Sequence, residues 1–322
     1  MSPDLNQSGS RAVLGISHTP LLGFNELPAE VDHSLRTALA EAARHVQAFA
    51  PELIVMFVPD HFNGFFHDLM PAICLGTEAE AVGDYGTPAG KVNVSEADAL
   101  ALAQNLIAQC FDPAVSRRML VDHGVAQPLQ LLFGGLDSPP VVPIFLNAAA
   151  PPAIPTVARV IQLGEAVGAH FKRDARRILY VGSGGLSHDP PIPTLEHPDL
   201  LVRERVIVRH RATEEQRGIR QARVLQAGRD MGAGRSDRRA LNPLWDERVM
   251  TMLEASDWVG LHSITETEIL QEGGGSAHET KNWLAAFAAA GLGLQTRHRW
   301  YRAIPDLIAG FGLMFRQTER ES

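Results

Sequence analysis

The residues of this chain best suited to do chemistry are its histidines, and what matters is where they fall. Thirteen occur in 322 residues. His18 comes directly after the apolar run at residues 13–17, and His61 follows the run LIVMFV and the step Pro59-Asp60. His188 lies beyond the run at residues 178–181, after the turn Gly182-Ser183-Gly184-Gly185, and His123 follows a shorter run at residues 119–121. Neutral imidazole is the commonest side-chain ligand for Zn, Fe, Cu and Ni. Two imidazoles and one carboxylate that leave positions open make the facial site of non-haem Fe(II) oxygenases, and a similar set with water serves a zinc hydrolase. Asp60, Asp122 and Glu279 are the candidate carboxylates. Asp60 directly precedes His61, so in an extended segment the two side chains diverge. Glu279 opens a predicted helix, where the positive end of the helix dipole favours an anion. Spacing does not choose among them.

Other readings of these residues are weaker. The glycine turn lacks both the GxGxxG pattern and a Walker lysine, so it reads as a tight turn that presents His188 rather than a phosphate cradle. Ser183 or Ser187 could be a nucleophile beside a histidine, but no GxSxG elbow is present. His33, His45, His67, His170, His197, His210, His262 and His298 do not follow strands in this way and read as structural or surface histidines.

Strands and helices must position these side chains. The run LIVMFV is continuous, apolar and β-rich, which predicts a buried parallel strand. Leu35, Leu39, Ala42, Val46 and Phe49 recur at steps of four and three, one face of an amphipathic helix. Ser95 with Asp98 predicts a capped helix through about Gln109. The run VVPIF at residues 141–145 predicts a strand that Pro143 weakens or places near an edge. Val157, Val160, Gly164, Val167 and Phe171 keep helical spacing, and ILYV at residues 178–181 predicts a further strand. Gly273-Gly274-Gly275 reads as a hinge before a helix over residues 279–290. Alternating strands and helices predict an α/β fold: one large domain with a mostly parallel or mixed central sheet flanked by helices. In open sheets of this kind the ligand crevice lies at the strand carboxyl ends, which is where the four histidines fall. Residues 1–12 read as a polar extension, 13–314 as the catalytic domain and 315–322 as a tail. An Arg-rich helical segment at 203–239 is inserted in the domain and reads as a solvated face or an anion-binding patch.

Composition narrows the function. The balance of 29 basic and 37 acidic residues gives a net charge of −8, which argues against a nucleic-acid partner. Two cysteines outside any CxxC pattern argue against a disulfide scaffold and for a reducing, cytoplasmic compartment. No apolar stretch is long enough to predict a membrane span or a signal peptide.

Several blocks together resemble a known family. They are Ser17-His18-Thr19-Pro20-Leu21, Pro59-Asp60-His61-Phe62-Asn63-Gly64-Phe65-Phe66, Val121-Asp122-His123-Gly124-Val125-Ala126-Gln127-Pro128-Leu129 and Gly182-Ser183-Gly184-Gly185-Leu186-Ser187-His188. To these are added Leu241-Asn242-Pro243-Leu244-Trp245-Asp246, His278-Glu279-Thr280-Lys281-Asn282-Trp283, Tyr301-Arg302-Ala303-Ile304-Pro305 and Ala309-Gly310-Phe311-Gly312. In this order, over residues 13–312, they are similar to the class III (LigB-type) extradiol catechol dioxygenases. The resemblance implies that His18, His61 and Glu279 bind Fe(II). It also implies that His123 is a proton donor and His188 a proton acceptor, and that the reactants are O2 and a catechol. It further implies a propionate or propenoate side chain on the catechol and a homo-oligomeric enzyme of aromatic catabolism. A carboxylate on that chain needs a cationic partner. Arg302 is one candidate and the segment at 203–239 another. Two other readings stay open: a zinc-dependent hydrolase using the same pocket, and a non-catalytic binding protein on the same fold.

Overall fold

The apolar run Leu53–Val58 is a strand, and its side chains alternate between two cores. Leu53, Val55 and Phe57 enter one hydrophobic cluster, while Ile54, Met56 and Val58 enter the other. A run apolar at every position is what a strand covered on both faces requires. The structure, a computed structural model, describes residues 9–319. The chain runs β1 (Arg11–Ile16), α1 (Ala29–Phe49), β2 (Leu53–Val58), β3 (Ile73–Gly76), β4 (Ala79–Val82), β5 (Ala89–Lys91), α2 (Glu96–Ala108), β6 (Ala114–Ser116), β7 (Met119–Val121), α3 (His123–Phe133), β8 (Val141–Leu146), α4 (Val157–His170) and β9 (Ile178–Ser183). It continues with α5 (Leu200–Ile207), α6 (Glu214–Gly232), α7 (Pro243–Ala255), α8 (Trp258–Ser263), the single turn α9 (Glu266–Glu268), α10 (Thr280–Ala290), β10 (Leu294–Ile304) and β11 (Ala309–Thr318).

The main sheet is mixed, in the order β10-β11-β1-β9-β2-β8-β3-β6. Its centre, β1-β9-β2-β8, is parallel, and β11 and β3 join it antiparallel. A small sheet, β5-β4-β7, lies apart. The single α/β domain with a mixed sheet agrees with the expectation from sequence. On one face α10 is buried along its whole length, between the sheet and α4. Two glycines allow that approach: a Cβ on Gly182 would stand 2.6 Å from the Asn282 carbonyl oxygen, and one on Gly184 would stand 2.7 Å from Glu279 Cβ.

Several expectations are corrected. Pro143 does not mark an edge, because β8 is paired on both sides. The β3 ladder runs only from Ile144 to Leu146, and the Pro143 ring packs against the space that a Gly76 side chain would fill. The Ser95 hydroxyl donates to Asp98 Oδ2 at 2.6 Å instead of capping α2. β1 takes up Arg11 and Ala12 from the predicted extension, and β11 pairs with it as far as Ala12↔Gln317, inside the predicted tail. The rest of those two segments includes residues 1–8 and 320–322, which lie outside the described residues. Gly273 and Gly274 are not a free hinge, because the Gly273 carbonyl accepts from the His188 amide at 2.8 Å. Cys74 is buried, Cys110 exposed, and both are free. Among the described residues no helix is long and apolar enough to cross a membrane.

Candidate active site

Three adjacent strands deliver three histidines to one place. His18 follows β1, His61 follows β2 and His188 follows β9, at the carboxyl ends of neighbouring parallel strands. His123 is the first residue of α3, whose N-cap is Asp122. Glu279 ends the helical turn Ala277–Glu279 that leads into α10, the helix seated over Gly182 and Gly184. All five line one cavity. The four apart from His61 are buried, and the His61 side chain is 19% exposed.

Glu279 is the centre of the cluster. Its Oε1 is 3.1 Å from His61 Nε2 and 3.4 Å from His188 Nε2, and its Oε2 is 3.5 Å from His18 Nε2. The His61 and His123 rings stack with centroids 4.3 Å apart, and the His18 ring stands edge-on to both. The ligating atoms of His18, His61 and His123 lie within 4.8 Å of one another.

Each ring is oriented from behind, and the partner fixes the tautomer. The Ser183 hydroxyl donates to the Gly124 carbonyl at 2.6 Å, so its oxygen accepts from His18 Nδ1–H at 2.9 Å. His18 Nε2 therefore carries a lone pair, is buried and has no hydrogen-bond partner. Burial dominates the charge state of His18 and pulls its pKa down to about 3, against the raising effect of Glu279. His61 Nδ1–H faces Asp122 Oδ2 at 3.1 Å, and His123 Nδ1–H donates to Asp84 Oδ2 at 2.6 Å. His188 Nδ1–H donates to the Leu186 carbonyl at 3.0 Å. Burial opposes charge on His61 and His188, but neighbouring carboxylates prevail: Asp122 and Glu279 hold His61 well above its usual range, and Glu279 raises His188. Burial would raise Glu279, yet the facing imidazoles hold it well below the usual carboxylate range.

The other two candidate carboxylates have different tasks. Asp60 turns back on its own loop and accepts from the amides of Asn63, Gly64 and Phe65. Asp122 accepts from the His61 amide and ring, from Asn63 and from Gly124 at the start of α3. Ser183 is a ring-orienting residue with its hydroxyl committed on both sides, which leaves no basis for reading it as a nucleophile. Sequence reasoning missed Asp84 and Tyr85; the available signal was their position between two glycines, Gly83 and Gly86. His210, read as structural or surface, lines the cavity. Arg302 does not line it, because its guanidinium pairs with Glu30 Oε1 at 2.9 Å on the exposed surface. The arginines that line the cavity are Arg205, Arg220 and Arg223, within the segment predicted as the alternative.

Residues 12–312 match the family described as the catalytic LigB subunit of aromatic ring-opening dioxygenase. The chain belongs to the LigB family. It is 49% identical to a 2,3-dihydroxyphenylpropionate/2,3-dihydroxicinnamic acid 1,2-dioxygenase of Comamonas testosteroni, over 98% of this chain and 99% of that one. Enzymes of the same name from Burkholderia vietnamiensis and Escherichia coli are 45% and 42% identical, covering 93% and 94% of this chain and 95% and 98% of theirs. A crystal structure of an uncharacterized Escherichia coli K12 protein, 15% identical, superposes with a TM-score of 0.53 over 96% of this chain and 99% of that one; it shows the fold alone.

This LigB chain is therefore a ring-opening dioxygenase, an activity that implies a catalytic metal, and its residues fit one. The His18 lone pair and Glu279 Oε2 are two acceptors that face each other at 3.5 Å with no donor on His18 Nε2. A cation held between them satisfies both. The imidazole and carboxylate donors suit a first-row divalent ion.

Proposed function

We propose that the chain is an Fe(II)-dependent extradiol dioxygenase that cleaves 2,3-dihydroxyphenylpropionate, and 2,3-dihydroxycinnamate, with O2. The cut falls between the hydroxylated C2 and the side-chain carbon C1. From the propionate substrate it yields 2-hydroxy-6-oxonona-2,4-dienedioate, which retains both oxygen atoms of O2. The observation that carries this reading is the grouping of His18, His61, His123, His188 and Glu279 around one cavity, with the His18 lone pair unpartnered. In this proposal His18, His61 and Glu279 hold the iron. Bound iron supplies the redox coupling between the catechol and O2.

The remaining work is proton traffic and positioning. His188 is the proton acceptor: the Leu186 carbonyl holds its Nδ1–H, so neutral His188 presents the Nε2 lone pair to a catechol hydroxyl. His123 is the proton donor. The Asp84 carboxylate holds its Nδ1–H and faces the positive charge that the ring carries before it gives up the Nε2 proton. That proton is delivered to the oxygen atom that leaves when the O–O bond breaks; the other oxygen atom stays bonded to the substrate, and return of the first as hydroxide opens the ring. Apolar residues of the cavity wall, among them Pro190, Ile192 and Ile308, exclude water from the reacting carbons. The test is anaerobic loading with Fe(II), followed by addition of O2 and substrate. A yellow, conjugated product with iron, and none with zinc, supports the reading; turnover without O2 points to a hydrolase.

A further inference from the structure

The cavity has two ends of opposite character. The inner end holds the histidines and Glu279. The outer end is faced by α5 and α6, and α6 turns Gln216, Ile219, Arg220, Arg223 and Val224 towards it. These positions recur at steps of three, one, three and one, so they form one stripe of the helix. A helix face set against a cavity is usually apolar; here it carries two guanidinium groups.

Other arginines of the same segment are engaged elsewhere. Arg211 pairs with Glu80, Arg235 with Asp230 and Arg238 with Asp189. Among the described residues the side chains of Arg205, Arg220 and Arg223 have neither an ion pair nor a hydrogen bond. Arg220 differs from the other two in being half-buried. Tyr85 lines the same cavity and has a left-handed backbone (φ 47°, ψ 39°) unusual for a bulky residue. That backbone sets the Tyr85 ring edge-on to His123, with centroids 5.2 Å apart. The Tyr85 hydroxyl makes no hydrogen bond among the described residues. Burial keeps it protonated, against the opposing pull of the Arg220 guanidinium. His61, His123, Tyr85 and Arg220 all line this cavity; the first two rings stack and the Tyr85 ring stands edge-on to His123.

We propose that Arg220, assisted by the Tyr85 hydroxyl, receives the carboxylate at the end of the substrate's side chain, and that this pair selects arylalkanoate catechols. The inference rests on the ring-cleavage reading above and adds to it the residues that recognise the tail. A half-buried guanidinium without a carboxylate partner matches a carboxylate in two-pronged geometry, and the phenol supplies a further donor.

The test compares the iron-loaded enzyme with Arg220→Gln, Arg220→Lys and Tyr85→Phe on three substrates: 2,3-dihydroxyphenylpropionate, its methyl ester, and 3-methylcatechol. A charge-assisted contact predicts that Arg220→Gln loses about 10- to 100-fold in kcat/KM for the acid, chiefly through KM. Turnover of the ester and of 3-methylcatechol is expected to stay unchanged. Arg220→Lys, which keeps the charge but not the fork, is expected to fall between, and Tyr85→Phe to lose less than Arg220→Gln. A second readout is the binding of 3-phenylpropionate, which carries the tail without the diol, and it is expected to weaken in parallel. Unchanged preference for acid over ester in Arg220→Gln, or equal losses on all three substrates, overturns the assignment. If the wild-type enzyme cleaves none of the three, the ring-cleavage reading fails, and 3-phenylpropionate binding still decides the role of Arg220.

Discussion

Ser183 fixes the tautomer of His18. The serine gives its proton to the Gly124 carbonyl at 2.6 Å, so it can only accept from His18 Nδ1 at 2.9 Å, and the lone pair of His18 is left on Nε2, opposite Glu279. Two paired strands supply the two halves of this arrangement: Ser183 ends β9, and β9 pairs with β1, which delivers His18. Ser183→Ala removes the partner and frees the ring to turn. Loss of a ligand-orienting group typically weakens metal binding by about 10- to 100-fold. The expected result is that drop in Fe(II) affinity, by anaerobic titration, with the circular dichroism spectrum unchanged. Wild-type affinity in the variant would show that the hydrogen bond does not orient the ring.

His61→Ala and Glu279→Gln each change a proposed ligand. Both variants are expected to lose iron on gel filtration and to lose turnover with it. Divalent iron binding to the folded state also raises thermal stability by mass action. The wild-type Tm is therefore expected to rise with added Fe(II), and the rise to be absent in His61→Ala. Full iron content in either variant contradicts the ligand set.

His123→Ala and His188→Ala separate proton transfer from metal binding. Loss of a general acid or base costs about 10² to 10⁴ in rate. Each variant is expected to keep wild-type iron content and to lose activity within that range. Iron loss in step with activity would make the residue a ligand instead.

Gly184→Ala tests the seating of α10. The added Cβ would stand 2.7 Å from Glu279 Cβ and 2.8 Å from the Glu279 carbonyl oxygen, so the turn that carries the glutamate must move. Overpacking of this kind costs about 1–3 kcal/mol. The expected outcome is a lower denaturation midpoint together with weaker iron binding; a variant with both properties of the wild type means that the turn relaxes freely.

Much of this was legible in the chain because strand ends leave a local mark. Leu53–Val58 is apolar at every position and His61 follows it after Pro59-Asp60, so both the buried strand and the histidine at its carboxyl end could be read from order alone. The position of Glu279 next to those histidines could not. It depends on α10 packing over Gly182 and Gly184, nearly a hundred residues earlier, and spacing carries no information about that contact. The same holds for Asp84 behind His123, since β4 pairs with β7 to bring the two segments together. Arg302 and Arg220 exchange importance for a related reason. Arg302 sits on β10, where Glu30 of α1 is within reach, whereas the stripe of α6 that carries Arg220 is distinguished from its solvated neighbours only once the helix is laid across the cavity. An edge position for Pro143 could not be judged from the chain alone, because it depends on how far the β3 ladder extends, which is a property of the partner strand.

Oxygen uptake tests the central claim most directly. The enzyme is loaded anaerobically with Fe(II) and mixed with a limiting amount of 2,3-dihydroxyphenylpropionate in an oxygen-electrode cell, while the visible absorbance of the product is followed. The account predicts equimolar consumption of O2 and catechol, a yellow product formed in step, and neither with zinc-loaded enzyme or with His61→Ala. Substrate consumed without oxygen uptake, or equal turnover with zinc, would contradict it.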